Sequence, residues 1–113
     1  MPNETADLDQ VFKCLSNPTR RHVLERLAAS EASMTELAEP LQMALPSFLQ
    51  HLRILEDAGL VRSRKRGRVR TYTLVPEPIA RAEHWLDAQR RRWNTRLDQL
   101  DAVLEALDDN PHA

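Results

Sequence analysis

Glycine, cysteine and aromatic residues are all scarce in this chain. Two glycines among 113 residues, with aromatics at 4% and charged residues at 29%, argue for helices and against a sandwich or barrel. A single cysteine, Cys14, excludes an internal disulfide. It reads as a small buried apolar residue on a helix, with a redox or metal-linked thiol as the alternative. No stretch approaches the ~18 uninterrupted apolar residues of a membrane span. The acidic N-terminus does not resemble a signal peptide, so the expected location is cytoplasmic, with no membrane partner. A Gly-rich phosphate loop, a metal constellation and a nucleophile–base–acid set are all missing, so no enzyme and no cofactor are expected.

Two local absences of charge are more informative. From Arg62 to Arg70 no residue is acidic, while Arg62, Arg64, Lys65, Arg66, Arg68 and Arg70 are basic. The whole chain carries a formal charge of −1, so this run is a local concentration. From Asp98 to Asp109 the reverse holds: Asp98, Asp101, Glu105, Asp108 and Asp109 stand without a Lys or Arg. These two segments call for different surroundings.

Residues 1–6 read as a loose tail. From Asp7, Leu8, Val11, Phe12 and Leu15 have helical spacing. Asn17-Pro18 ends that helix and starts the next, since Asn is a good N-cap and Pro suits the first helical position. Val23, Leu24 and Leu27 form the second helix's apolar face. Ser33-Met34-Thr35-Glu36 has the pattern of a capping box at the start of a third, short helix, with Leu37, Ala38 and Leu41 facing inward. Gln42-Met43-Ala44 links it to a fourth helix at about 46–58. There Phe48, Leu52 and Leu55 make the core stripe, and Gly59 suits a left-handed helix end. Ser47, Gln50, His51 and Ile54 lie opposite, with Arg53 beside them. Short helix, tight turn and longer helix make a helix-turn-helix plan.

Val61 to Arg66 and Val69 to Val75 read as two strands around Gly67. Tyr72 and Leu74 share one face and anchor the hairpin. Beyond Pro76-Glu77-Pro78, nothing breaks a helical pattern until about Leu107. Leu86, Trp93, Leu100 and Leu107 recur every seven residues, with Leu97 and Leu104 between them and Val103 beside the stripe. This seam points to dimerisation, with packing onto the same chain as the alternative. Arg90, Arg91 and Arg92 read as a solvated face.

Four stretches together resemble the ArsR/SmtB-type winged-helix transcriptional repressors. They are Leu15-Ser16-Asn17-Pro18-Thr19-Arg20-Arg21, Thr35-Glu36-Leu37-Ala38, the run from His51 to Val61, and Arg66-Gly67-Arg68 followed by Tyr72 and Leu74. The resemblance implies a mainly α fold with a two-stranded β wing, and long terminal helices that form a homodimer interface. It also implies a fourth helix in the DNA major groove and a wing on the backbone or minor groove. The reading positions it implies are Ser47, Gln50, His51 and Arg53, with Arg64, Arg66 and Arg68 in the wing. Lys65 and Arg70 join them as members of the basic run. The implied dimer surface takes Leu8, Val11 and Phe12 with Leu86, Trp93, Leu97, Leu100, Leu104 and Leu107.

Three departures from the family pattern stand out. Ala44 and Leu49 occupy positions where a small polar residue is common, so Ala44 cannot cap the reading helix and Pro46 must help set its start. The third helix has no Cys. His84 and Asp87 in the last helix lack a second His, so no metal site is expected.

The expected organisation is a tail at 1–6, a winged helix-turn-helix domain at 7–76, a dimerisation helix at 77–108 and a tail at 109–113. The expected function is sequence-specific repression at a double-stranded DNA operator, without metal sensing through the usual sites. The alternatives are a protein-interaction adaptor and a thiol- or metal-responsive repressor using Cys14. An unidentified small-molecule effector near Trp85 or Trp93 is left open.

Overall fold

The computed structural model describes residues 4–108. Five helices and three strands follow in order: α1 (Glu4–Leu15), α2 (Pro18–Ala29), β1 (Ala32–Ser33), α3 (Met34–Ala38), α4 (Leu45–Asp57), β2 (Val61–Arg66), β3 (Val69–Leu74) and α5 (Glu77–Asp108). Helix α1 starts at Glu4, inside the segment that the sequence reads as a tail, and residues 1–3 lie outside the described residues. The expected tail at 109–113 lies outside the described residues, as does the Asn110-Pro111 stop signal.

The chain divides into two compact units, 1–82 and 83–113. The first turn and a half of α5 therefore belongs with the winged-helix unit, where Pro78 and Ala82 are buried. The sequence places this boundary earlier, at residue 76. An unbroken helical pattern shows where a helix begins but not how far its first turns pack.

Local signals explain most of the helix ends in the first unit. Asn17 Oδ1 accepts the Arg20 N–H at 3.2 Å, and Pro18 opens α2. The Ser33–Glu36 capping box forms in both directions at 3.1 Å. Helix α3 ends at Ala38, and Pro40 prevents its continuation. Leu41, expected on that helix, is half-buried in the link beyond it. Helix α4 ends in a Schellman motif: Gly59 takes φ +77°, its N–H reaches Glu56 O, and Leu60 N–H reaches Leu55 O. Leu60 and Leu55 are both fully buried, so the cap also locks the turn into the core.

That core draws Val11 and Cys14 from α1, Val23 and Leu27 from α2, Leu37 from α3, and Phe48, Leu52 and Leu55 from α4. Val61, Tyr72 and Ala32 close it from the sheet. The expected two-stranded wing is β2–β3. A third strand joins it, giving the antiparallel order β1-β3-β2, with Ala32 opposite Tyr72 and Ser33 opposite Thr71. Two residues are too few for any alternating pattern, which is why β1 was not legible. A two-residue loop, Gly67-Arg68, joins the hairpin, with positive φ only at Gly67, as in a type II′ turn.

The second unit is the rest of α5. Leu86, Trp93, Leu97, Leu100, Val103, Leu104 and Leu107 are all at least half exposed on it. Arg90 and Arg91 both pair with Asp87 on the same helix. No described helix is long and apolar enough to cross a membrane.

Candidate nucleic-acid interface

Helix α4 presents the candidate reading residues. Its N-cap is Ala44, which makes no side-chain cap, and Pro46 lies in its first turn, as the sequence implies. Its first N–H groups therefore have no side-chain acceptor from the cap position, and they carry the positive end of the helix dipole. Ser47, Gln50 and Arg53 are exposed. Phe48, Leu52 and Leu55 are buried on the other side, so the outward set is fixed by the inward one. Leu45 and Leu49 are exposed apolar residues next to the polar set. Ile54, expected on the outer face, is half-buried and packs on the core.

His51 is only half exposed, because its Nδ1 faces a buried partner. Arg20 Nη1 lies 3.1 Å from it. Arg20 is 8% exposed and also donates from Nε to Cys14 O at 3.1 Å and from Nη2 to Lys13 O at 2.9 Å. Those two carbonyls end α1, where the helix dipole is negative and backbone acceptors are unpaired. Arg21 donates to Leu15 O at 2.7 Å and Ser16 to Lys13 O at 2.6 Å, completing this cap. Burial, and after it the neighbouring Arg20 charge, hold His51 below the ordinary imidazole range. Arg20 lies within the Leu15–Arg21 stretch, but its contact with His51 spans 31 residues and is not visible in the sequence. The available signal was an Arg three residues past a helix N-cap, on a helix whose apolar face is otherwise aliphatic.

The wing separates its charges by face. Along β2, Arg62, Arg64 and Arg66 alternate with Val61, Ser63 and Lys65. The first set pairs with Thr73, Thr71 and Val69, and the second with Leu74, Tyr72 and Arg70. Arg62, which the sequence reading left out of the contact set, shares the face of Arg64 and Arg66. Lys65 and Arg70 are directly opposite one another, a like-charge pair that destabilises a hairpin unless an anion lies near it. Arg70 donates to Ser63 Oγ at 2.8 Å, and Ser63 donates to Glu56 Oε2 at 3.0 Å. This chain of contacts joins the wing to the last turn of α4. Arg70 thus braces the wing as well as charging it. Arg68 sits in the turn and is exposed.

Val11 is removed from the candidate dimer surface. It is 2% exposed within a single chain, so its side chain has almost no area left to bury against a partner. Leu8 and Phe12 are half-buried and pack on the core with part of their surface still outside. Cys14 is fully buried and donates weakly to Ile54 O at 3.9 Å. Burial pushes its thiol pKa up, and the nearby Arg20 and Lys13 offset this only in part. A reactive thiol needs the opposite environment. Among the described residues, no three His, Cys, Asp or Glu side chains gather as a metal site requires.

A short helix, a turn, an outward-facing second helix and a cationic hairpin together define a winged helix-turn-helix DNA-binding protein. A model described as a helix-turn-helix domain matches residues 15–64. The chain is 33% identical over 102 residues to the HTH-type transcriptional regulator Rv2034 of Mycobacterium tuberculosis, spanning 90% of this chain and 92% of that one. It is 29% identical over 79 residues to the transcriptional repressor SdpR of Bacillus subtilis, spanning 70% and 88%. Among solved structures, the ArsR family transcriptional regulator RHA00566 superposes with a TM-score of 0.77 at 45% identity, covering 83% of this chain and 97% of that one. The chain belongs to the ArsR family of helix-turn-helix transcriptional regulators, and it is a DNA-binding regulator of transcription.

Proposed function

We propose that the chain works as a cytoplasmic homodimer that represses transcription by occupying a two-fold operator. One observation carries this reading: an outward helix face of Ser47, Gln50 and Arg53 is bridged through Glu56 and Ser63 to a cationic hairpin. Ser47 and Gln50 have the donors and acceptors that read base edges in a major groove. Arg53, Arg64, Lys65, Arg66, Arg68 and Arg70 supply positive charge for phosphates, and Arg62 joins them. The exposed α5 seam is a surface that a second copy can bury, and a two-fold pair presents two reading helices to two half-sites. A dimer seated on its operator blocks access to the DNA beneath it, and SdpR, a relative named as a repressor, accords with that outcome.

The test is selection of bound duplexes from random DNA, followed by light scattering of the complex and transcription from a template carrying the selected site. The expected result is a two-fold site with half-sites about one helical turn apart, one dimer per site, and reduced transcription. Enrichment of no sequence, a bound monomer, or increased transcription would each overturn the corresponding part.

A further inference from the structure

The contact between Arg20 and His51 fixes more than packing. A guanidinium only donates hydrogen bonds, so the Nδ1 atom 3.1 Å from Arg20 Nη1 must accept. An imidazole that accepts at Nδ1 is neutral and carries its proton on Nε2. The structure gives Nε2 no partner among the described residues, yet no buried polar side-chain atom is left unsatisfied. Nε2 therefore reaches solvent, on the helix that carries Ser47, Gln50 and Arg53. Arg20 itself is held rigidly: three of its nitrogens are bonded, two of them to the carbonyls that end α1. It has no carboxylate partner among the described ion pairs.

We propose that Arg20 is a positioning residue that makes His51 an obligate outward hydrogen-bond donor, selecting an acceptor on DNA such as guanine N7 or O6, or a phosphate oxygen. This rests on α4 being the reading helix. His51 then differs from a free histidine, which presents a donor or an acceptor according to tautomer. Only the donor faces out, and an acceptor-poor base edge is disfavoured at that position. Gln reproduces the arrangement, because one planar amide carries an acceptor for Arg20 and a donor for DNA. Phe fills similar space and provides neither.

The decisive measurement is the tautomer. Long-range proton–nitrogen spectra of the full chain, labelled with nitrogen-15 at histidine, are recorded at pH 7.5 without DNA. His51 is expected as the Nε2–H form. A proton on Nδ1, or a doubly protonated ring, overturns the proposal.

Binding is then measured on a fluorescent duplex carrying the site that the wild-type chain selects from random DNA. His51→Gln is expected within about threefold of wild type, and His51→Phe weaker by about tenfold or more. Arg20→Met is expected to weaken binding in the wild-type background and to add nothing in the His51→Phe background. Should Arg20→Met not fold, the tautomer spectrum still decides. Wild-type affinity in His51→Phe overturns the proposal. If Ser47→Ala and Gln50→Ala also bind as wild type, the reading-helix assignment falls with it. If those two lose affinity, only the His51 donor is wrong.

Discussion

Ser63 in β2 donates its hydroxyl proton to Glu56 in the last turn of α4, and this bond ties the wing to the candidate reading helix. Arg70 donates to the same hydroxyl from the opposite strand. Ser63 therefore helps set the wing's position without carrying charge, whereas Arg70 contributes to both. Ser63→Ala removes the bridge and leaves every cation in place. Its cost in stability is expected to be about 0.5–1 kcal/mol, the lower part of the range for a single hydrogen bond, because the site is exposed. DNA affinity should fall while the slope of log affinity against log salt stays at the wild-type value. A changed slope would show that Ser63 alters which phosphates are contacted.

Removing the charges has the complementary signature. Arg64→Ala, Arg66→Ala and Arg68→Ala combined should weaken all DNA sequences about equally. Each lost phosphate contact makes the salt slope shallower by about 0.9, so three should reduce it by about 2–3. Anisotropy titrations across salt, on the selected duplex and a scrambled one, test this. An unchanged slope would exclude these arginines from phosphate contact.

Asn17 caps α2 through the backbone N–H of Arg20. Asn17→Ala should lower stability by about 1 kcal/mol in urea unfolding. Because the same turn of helix carries the Arg20 side chain, the His51 ring signals should broaden or shift as well. Loss of stability without any change at His51 would mean that the cap and the Arg20 contact are independent.

The lowered His51 pKa makes stability depend on pH in a defined direction. Unfolded imidazole titrates near 6.5, whereas folded His51 takes its proton only at lower pH. Between those values the unfolded state holds more protons, so stability rises with pH there. The contribution is complete above about pH 6.5 and is lost as pH falls through the lowered folded value. Melting curves from pH 7.5 to pH 5 should show a decline in wild type that is smaller in His51→Gln. Equal declines would assign the effect to other groups.

The seam of α5 is tested by charge. Leu97 and Leu104 are 53% and 50% exposed in the single chain, so replacing them there breaks little internal packing. Leu97→Asp with Leu104→Asp should convert a dimer to a monomer by sedimentation, with the winged-helix unit still folded as judged by dispersed amide resonances of its core residues such as Leu55 and Tyr72. A dimer that survives both changes would place the interface elsewhere.

The sequence alone determined several helix ends of the winged-helix unit and the two-stranded hairpin of the wing, because those features are local. Asn17-Pro18, Ser33 with Glu36, Gly59 and Gly67 each act within a few residues of where they stand, through a cap or a backbone angle. The core stripe of α4 was equally legible, since burial of Phe48, Leu52 and Leu55 follows from helical period. The heptad of α5 could be read in the same way. Tertiary structure alone decided which polar residues on α4 face outward without a partner. Periodicity placed His51 and Ile54 with Ser47 and Gln50, but Ile54 packs inward and His51 is held from behind by Arg20, 31 residues away. The same holds for Val11, whose helical spacing did not reveal that its own chain already covers it. Spacing along a chain fixes which side chains share a face, whereas only the packed fold fixes what covers that face and which way a proton on it points.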